Sequence, residues 1–514
     1  MRVDKLTVLV LALLLLVPAV SVAEEEEKKP GPYLNLSGFY AFNAYSQNNF
    51  FLGRTSGRDA VGGVSDKDEY AIQMVRLTAE FGFGENVKAI VRADMAQGIW
   101  GIDNSRTDGS TPGFSELFNS KDTNFITHVD WAYIDADVPQ WNSNVKLGRM
   151  KFALGNLLVL DQDSDGIILT RKTDNGKFRF AWANMSEGAD SLSDESAIGP
   201  GGLSTEDANL YLFDFTRKKG DWTMTPFLAF YSDGGTGDGS AYIPNGLQYN
   251  RPRFTPQLSE AMALGLSFNG KKGDWTLKGE VDYLQGDDDI ANANAGAGQR
   301  LDVNDGDLSG YNLYLDARRP AGAGKVGFVF GHGSGDDDPF SGDGNINKIR
   351  TNGFFYVTEV WEDSVMPDEE GITPQGLGSP ASRAYREFEN TTLVQINYAW
   401  DPNPKWSVFT SASWMQATED IPAWADIVDA DGDGFIGPND DFSGVDWSND
   451  LGYEFDVRAT YKVVPGLNWV LRGGVFFPGD GAGYLINGTN AFDDTAYELR
   501  TTVRFSFGKI KIGA

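Results

Sequence analysis

Cysteine is absent from the 514 residues of this sequence, and histidine occurs only twice. Without cysteine the chain can form no disulfide, no thiolate metal site and no lipid-modified N-terminal cysteine. Two histidines leave little material for a zinc centre, and no serine-nucleophile motif, phosphate loop or dinucleotide fingerprint is recognisable. The sequence therefore predicts that the protein is not an enzyme.

Long apolar runs are also scarce, and the one present lies at the N-terminus. Leu6–Val20 follows two basic residues and leads into a small-residue tripeptide at 21–23. The run is shorter than the ~20 residues of a transmembrane helix. We therefore predict a secretory signal peptide over residues 1–23. The charged, proline-ended stretch 24–32 predicts a flexible periplasmic tail.

Positive charge is in deficit, because 43 lysines and arginines face 73 aspartates and glutamates, a formal net charge of −30. An acidic balance of this size argues against a nucleic-acid partner and against a basic membrane-surface protein. Much of the acidic excess falls in segments that are rich in glycine, aspartate and serine. These segments separate the apolar stretches of the chain.

The sequence does contain strict alternation of apolar and polar residues, most clearly over Ala261–Asp287. Met262, Leu264, Leu266 and Phe268 alternate there with small or polar residues. A period of two is the signature of a strand with two different faces. Aromatic residues lie at the ends of the apolar face, and charged residues lie in the middle of the polar face. This arrangement is typical of a membrane-barrel strand with lipid on one side and water on the other.

Similar strands recur along the chain, and eight short connections alternate with nine long ones. This count predicts about 18 strands, with 16 as the alternative. We therefore predict an all-β fold, a single transmembrane antiparallel β-barrel over residues 33–508, with short periplasmic turns, long extracellular loops and a C-terminal tail at 509–514. A soluble solenoid or propeller built from hairpins is the competing interpretation.

Three motifs carry a resemblance to a known family. They are LGRMKFALGN (Leu147–Asn156), DSDGIIL (Asp163–Leu169) and GHGSGDDDP (Gly331–Pro339). The chain resembles bacterial outer-membrane porins and, more narrowly, the alginate-export family of 18-stranded barrels. This resemblance implies an anion-selective conduit with arginine-lined walls in the outer membrane. The sequence departs from the pattern at its end, because GKIKIGA follows Phe507 where such barrels usually finish on an aromatic residue.

Placing the polar face of each strand inward predicts a lumen wall rich in arginine. The predicted channel-lining residues are Arg76, Arg92, Arg149, Lys151, Arg171, Arg179, Arg458, Arg472, Arg500 and Arg504. Arginine keeps its charge, and its planar guanidinium binds carboxylates and phosphates through paired hydrogen bonds. Such a wall would favour anionic solutes. The alternative is that these side chains pair with lumen carboxylates and stiffen the wall.

A calcium-loop pattern, DADGDGFIGPND, occupies Asp429–Asp440 within a predicted long outer loop at 419–450. The predicted ligands are Asp429, Asp431, Asp433, the backbone carbonyl of Phe435, and Asp440. Carboxylates at positions 1, 3, 5 and 12, with glycine at position 6, match the spacing of calcium loops. We therefore predict a Ca²⁺ ion there, and the alternative is one more acidic turn.

Together these features predict a passive outer-membrane porin for small hydrophilic solutes, which the arginine pattern predicts to be anionic, or for an anionic polysaccharide. A non-selective general porin and a structural barrel that anchors a surface layer are the alternatives. The expected partners are outer-membrane lipid, lipopolysaccharide and the solute, with no nucleic acid. The sequence leaves a monomer and a homotrimer equally open.

Overall fold

The computed structural model describes residues 31–50, 52–54, 67–100, 127–186, 208–233, 258–288, 306–338, 340, 345, 347, 355, 357–361, 388–432 and 439–512. The predicted signal peptide and nearly all of the predicted tail at 24–32 lie outside these residues. The strands are Tyr33–Asn48 (β1), Lys67–Phe83 (β2), Val87–Ile99 (β3), Thr127–Val138 (β4), Ser143–Ala153 (β5), Asp161–Thr173 (β6), Gly176–Ser186 (β7), Ala208–Lys219 (β8), Trp222–Asp233 (β9), Leu258–Lys272 (β10), Trp275–Asp288 (β11), Gly306–Ala321 (β12), Gly324–Gly333 (β13), Thr391–Asn403 (β14), Trp406–Pro422 (β15), Trp447–Val464 (β16), Leu467–Pro478 (β17) and Ala496–Ile512 (β18).

The sheet closes on itself through its first strand. β1 pairs with β2 along one edge and with β18 along the other, so that Leu34 lies opposite both Phe81 and Ile512. The remaining strands pair antiparallel with their neighbours in chain order. Each strand therefore has a paired neighbour on both sides and the sheet has no free edge, which a hydrocarbon environment requires. The predicted 18-stranded antiparallel barrel is confirmed.

The outward face of the barrel is apolar. Leu264, Ile396 and Phe455 are 56%, 61% and 56% exposed. The chain neighbours of Ile396 and Phe455 point inward and are polar, as the buried Asn397 and Glu454 show, whereas Leu264 is followed inward by small residues. A continuous exposed apolar surface of this kind suits lipid contact rather than water.

Tryptophans mark the end of the barrel that carries the short turns. Trp222, Trp275 and Trp406 are the first residues of β9, β11 and β15, and Trp469 is the third residue of β17. β1 begins and β18 finishes at this same end. Aromatic rings at strand ends form the girdle that membrane barrels place at the lipid–water boundary.

The last strand is longer than the sequence analysis predicted. β18 continues to Ile512, whereas a tail was expected from residue 509. Lys509 and Lys511 alternate with Ile510 and Ile512, and both isoleucines are exposed on the outer face. Lys509 also pairs with Glu80 on β2 at 3.2 Å. The alternation of apolar and polar residues therefore continues past Phe507. This alternation could have predicted that β18 extends to Ile512.

The strands also extend into the connections at the other end. β15 reaches Pro422 and β16 begins at Trp447, so the connection predicted at 419–450 covers only 423–446. A short helix, Asp480–Asn487 (α1), lies between β17 and β18, and in the described part of the chain 3-10 helices span Pro139–Trp141 and Trp424–Asp426. No helix in the described part of the chain is both long and apolar enough to cross a membrane.

A hydrophobic cluster joins several of these connections to the inner wall at the outer end of the barrel. Its members from connections and from α1 include Phe50, Leu52, Leu158, Val360, Trp361, Phe388 and Leu485. They pack on inward-facing strand residues such as Tyr314 and Phe476, and the Trp361 ring stacks on Phe476 at 4.9 Å. Connections that return into the barrel in this way narrow its interior.

Candidate channel constriction

The hairpin of β5 and β6 leaves the barrel wall partway along its length. Pairing of β5 with β4 stops at Arg149, and pairing of β6 with β7 stops at Asp165. The two strands nevertheless remain paired with each other up to Ala153 and Asp161. Gly148 has φ +127° just before the departure, a backbone conformation that side chains disfavour. We call the departing segment, residues 150–164, the inserted hairpin.

The tip of the inserted hairpin docks on the inner face of the barrel. The Asn156 backbone N–H donates to the Glu280 carboxylate on β11, and Asn156 Nδ2 donates to the Gly279 carbonyl at 2.9 Å. Arg179 Nη2 on β7 donates to the Ala153 carbonyl at 2.7 Å. Because Asn156 and Glu280 are far apart in the barrel order, the hairpin reaches across the interior.

One face of the inserted hairpin is apolar and seals against the wall. Met150, Phe152 and Leu160 belong to a buried cluster with inward-facing residues of β6 to β12. The wall members of that cluster are Ile168, Ala181, Ala183, Met185, Ala208, Leu210, Leu212, Phe227, Ala229, Tyr231, Ala261, Ala263, Leu284 and Leu308. This part of the interior is therefore filled with side chains.

The other face of the inserted hairpin is charged and faces β3 and β4. Asp163 accepts hydrogen bonds from Trp131 Nε1 at 2.8 Å and from Arg92 Nη2 at 3.2 Å. Lys151 pairs with Asp161, and its side chain is 41% exposed. The open part of the interior therefore lies on this side of the hairpin.

Arg76 and Arg92 form an alternating charge network on that side. Arg76 Nε donates to Asp94 at 2.6 Å and Nη2 lies 3.0 Å from Asp130. Arg92 contacts Asp130 and Asp163, and its guanidinium lies 3.2 Å from the centre of the Trp131 ring. Each guanidinium is thus held in a fixed position by two carboxylates, which is the wall-stiffening arrangement.

Two further arginines stack on aromatic rings of β1. The Arg504 guanidinium lies 3.9 Å from the centre of the Phe39 ring, and Arg500 lies 4.5 Å from that of Tyr45. Arg500 also pairs with Glu498 at 3.0 Å. Stacking holds a guanidinium flat while its edge stays available to acceptors.

A second inserted segment, residues 357–361, comes from the connection between β13 and β14. The Glu454 carboxylate on β16 accepts the backbone N–H groups of Glu359, Val360 and Trp361 at 2.8, 2.6 and 2.7 Å. Three amide donors on one carboxylate hold this backbone against the wall. We call residues 357–361 the inserted loop.

The inserted loop brings its own carboxylate to two predicted channel-lining arginines. Glu359 accepts hydrogen bonds from Arg458 Nε at 3.1 Å and from Arg472 Nε at 2.7 Å. Burial acts to raise the pKa of Glu359, but the charges and hydrogen bonds of Arg472 and Arg458 outweigh burial and lower the pKa. The Arg458 side chain is still 44% exposed.

The other predicted lining residues divide between the interior and the outer face. Arg179 pairs with Asp214 beneath the inserted hairpin. Arg171 lies opposite Phe178, which is 52% exposed on the outer face, so Arg171 does not line the lumen. Arg149 shares the outward alternation of Leu147 and pairs with Asp165 at 3.2 Å. Placing every polar residue inward fails here because strand ends also carry polar residues on their outer face.

The predicted calcium loop is described in part. Carboxylate oxygens of Asp429, Asp431 and Asp440 lie within 4.8 Å of one another, while Asp433 and Phe435 lie outside the described residues. Asp429 accepts the Gly432 N–H at 2.6 Å, and Asp440 accepts the Ala430 N–H at 2.9 Å. Oxygen ligands of this kind suit Ca²⁺.

The sequence analysis missed both inserted elements. One feature could have indicated the inserted hairpin. The connection at 154–160 between β5 and β6 is too short to be an outer loop that covers the barrel mouth. For Glu359 no signal exists, because a carboxylate in an acidic loop carries no periodicity that would direct it inward.

No known protein family matches this chain, and no characterised protein matches it in sequence. Among solved structures it is similar to OccK9 (OpdG) of Pseudomonas aeruginosa, with a TM-score of 0.51 and 14% identity over 93% of this chain and 98% of that one. It is also similar to OccAB3 of Acinetobacter baumannii, with a TM-score of 0.50 and 10% identity over 93% and 99%. A BenF-like porin from Pseudomonas fluorescens Pf-5 aligns over 93% and 98%, with a TM-score of 0.47 and 14% identity. At identities this low, the likeness to OccK9 and OccAB3 concerns the fold, which here is an 18-stranded antiparallel barrel.

Proposed function

We propose that this protein is an outer-membrane channel for the passive diffusion of small hydrophilic solutes. The observation that carries the proposal is a closed barrel with an apolar outer face and an interior narrowed by two inserted elements. Charged side chains stay exposed at that narrowing, as the Lys151 and Arg458 exposures illustrate. A structural barrel has no need of such a charged interior surface.

The proposed solutes are anionic. Four arginines, Arg76, Arg92, Arg500 and Arg504, lie on β2, β3 and β18, which meet through β1 at barrel closure. Aromatic stacking and carboxylate contacts fix their planes, so a passing carboxylate or phosphate meets preorganised donors. Carboxylates of Asp94, Asp130, Asp163 and Glu498 offset the positive charge of these arginines, so the proposed preference depends on directed N–H donors, of which each guanidinium carries five.

A small solute suits this interior better than a polymer. The inserted hairpin and the inserted loop both occupy the interior, and the hairpin's apolar face is closed against the wall. A polysaccharide chain would need a continuous wide passage past both elements. The likeness of the three sequence motifs to the alginate-export family therefore supports the barrel type more than an alginate cargo.

Bilayer recordings test the proposal. We expect single-channel conductance, and a reversal potential in a KCl gradient that indicates a preference for chloride. Arg92→Ala should move the reversal potential toward cation selectivity, whereas Arg171→Ala removes the same charge from the outer face and should leave it unchanged. Insertion without conductance would favour a structural barrel, and equal selectivity in all three proteins would favour a general porin.

Liposome swelling identifies the solute class. A series of neutral sugars and the matching uronates differs mainly in one carboxylate. Faster swelling with uronates than with sugars of equal size supports anion preference. Equal swelling rates would indicate that solutes diffuse passively and are selected by size alone.

We also propose that the Asp429–Asp440 segment binds Ca²⁺ in the outer connection between β15 and β16. The support is the loop spacing in the sequence together with three carboxylates within 4.8 Å. The ion would relieve repulsion among these carboxylates and order the connection above the channel mouth.

A further inference from the structure

The outer face of the barrel carries a groove toward the end with the short turns. The groove crosses β5 to β10 and has a volume of about 750 Å³. Sites for small molecules have volumes of about 300–1,000 Å³. The apolar side chains that line it include Phe178, Phe180, Phe213, Phe215, Pro226 and Leu264. We call this concavity the outer groove.

Four phenylalanines form two cross-strand pairs in the outer groove. Phe178 of β7 stacks on Phe215 of β8 with ring centres 4.3 Å apart, and Phe180 lies 5.0 Å from Phe213. Phe178 and Phe213 nevertheless stay about half exposed. Rings that already pack on one another lose little freedom when an apolar molecule covers them.

A proline in the middle of β9 forms part of the groove. Pro226 has no N–H, and the pairing of β8 with β9 lapses opposite it, between the pairs Asp214–Phe227 and Arg217–Met224. The inner side of this gap is bridged, because Thr225 Oγ1 donates to Thr216 Oγ1 at 3.2 Å. On the outer side the compact proline ring lies among longer side chains and leaves space above it.

The rim of the outer groove is basic. Arg171 lines the groove, and Arg217 follows Phe215 on the same face of β8; both side chains are exposed. Each arginine lies two residues before the end of its strand, which places it near the lipid–water boundary. β6 and β8 are two strand spacings apart, about 10 Å. The turns beneath, 172–177 and 218–221, add four lysines and two aspartates, so positive charge prevails here although the whole chain is acidic.

We propose that the outer groove binds one anionic glycerophospholipid of the periplasmic leaflet. The lipid phosphate would accept N–H groups from Arg171 and Arg217, since a guanidinium binds phosphate through directed hydrogen bonds. One acyl chain would lie along the phenylalanines and over Pro226, toward the middle of the membrane. The apolar groove beneath a basic rim matches the two ends of such a lipid in chemistry and in order.

The net charge of the head group should determine which lipid is retained. A choline phospholipid offers the same acyl chains and the same phosphate, but its quaternary ammonium is repelled by the basic rim. Phosphatidylglycerol lacks this cation and keeps a net negative charge. Lipids of these two types with identical chains therefore separate recognition of the head group from burial of the tail.

Native mass spectrometry of the folded full-length barrel in detergent tests the site. After incubation with equal amounts of palmitoyl-oleoyl phosphatidylglycerol and the matching phosphatidylcholine, the wild type should retain one phosphatidylglycerol per chain, with a preference of about tenfold over phosphatidylcholine. Arg171→Ala combined with Arg217→Ala should abolish this preference. Arg319→Ala removes an exposed arginine from β12 beside Trp275, outside the groove, and should keep it.

A second variant tests the groove without changing charge. Pro226→Phe places a ring in the space above β9 and restores an N–H to the strand, so the barrel should still resist SDS until it is boiled. Retention of both lipids should fall about tenfold, because the tail loses its place. Ile396→Phe adds a ring to the outer face of β14, outside the groove, and should leave retention unchanged.

Three results would overturn the proposal. They are a wild type with no preference for phosphatidylglycerol, an equal preference in the double arginine variant, and an equal loss in Arg319→Ala, which would assign the effect to boundary charge in general. A lipid-free oligomer that separates in Pro226→Phe would show that a second copy of the chain covers the groove instead. The lipid proposal is independent of the channel proposal, because Arg171→Ala should lower lipid retention while the reversal potential stays unchanged.

Discussion

Glu359 accepts a hydrogen bond of 2.7 Å from Arg472 Nε, and the two residues lie 113 positions apart in the chain. The Glu359 side chain is 5% exposed and also contacts Arg458. A carboxylate supplied by the chain therefore occupies two of the arginines that the sequence assigns to solute. An arginine pair that can hold a carboxylate in this way has the geometry to hold one from a solute.

Replacing Glu359 with glutamine should increase anion preference. The change removes one negative charge at the narrowing and loosens two guanidiniums, while the three backbone bonds to Glu454 keep the inserted loop in place. We expect the reversal potential in a KCl gradient to shift further toward chloride. Asp221→Asn removes the same charge from a short turn at the opposite end and should cause no shift. Equal values for the wild type and Glu359→Gln would show that Glu359 does not face the ion path.

The contribution of Glu359 to the docking of the inserted loop should be lost in the acid range. Burial raises the pKa of Glu359, but Arg472 and Arg458 outweigh it, so the pKa in the docked state lies below the ordinary carboxyl value. A lowered pKa stabilises the docked state above that ordinary value, and this contribution is lost as the pH falls through the lowered pKa.

The part of the conductance that depends on Glu359 should therefore be constant from neutral pH down to the ordinary carboxyl range and should change below that range. Single-channel recordings in symmetric KCl measure this directly. The acid transition should be missing from Glu359→Gln, which cannot titrate at that position. A transition of equal size in both proteins would assign it to other carboxylates.

The inserted hairpin should detach when its apolar anchor is removed. Phe152 is fully buried between the hairpin and the wall, so Phe152→Ala should weaken the attachment by about 3–5 kcal/mol. We expect larger, noisier conductance and faster protease cleavage at 154–160. Phe178→Ala removes the same side chain from the outer face and should change neither measurement. Unchanged conductance and cleavage in Phe152→Ala would mean that the hairpin does not limit the passage.

The barrel itself was predictable because its rule is local. Period-two alternation, turn residues and tryptophans at strand ends depend on a few neighbouring residues, and they predicted 18 strands. The inserted hairpin follows the same alternation, as Met150 and Phe152 alternate with Lys151. Local pattern therefore cannot distinguish a strand in the wall from one that leaves it.

The candidate site was less predictable because its partners are distant in sequence. Arg472 and Glu359, or Asn156 and Glu280, meet only after the connections fold into the interior. Arg171 shows the opposite error, since a basic residue near a strand end can face outward where lipid gives way to water. The sequence shows which residues are charged, but only the tertiary structure shows which of these residues pair with one another.

Calcium should protect the outer connection between β15 and β16 from proteolysis. Asp429, Asp431 and Asp440 repel one another when no cation is present, and Ca²⁺ would join them at a dissociation constant of about 10⁻⁴–10⁻³ M, as in extracellular calcium modules. We expect 5 mM CaCl₂ to slow cleavage within 423–446 relative to EDTA in the wild type. Asp431→Ala should abolish the protection, whereas Asp426→Ala, an acidic residue of the same connection outside the loop motif, should retain it. Equal cleavage with calcium and with EDTA would show that the motif is an acidic turn that does not bind Ca²⁺.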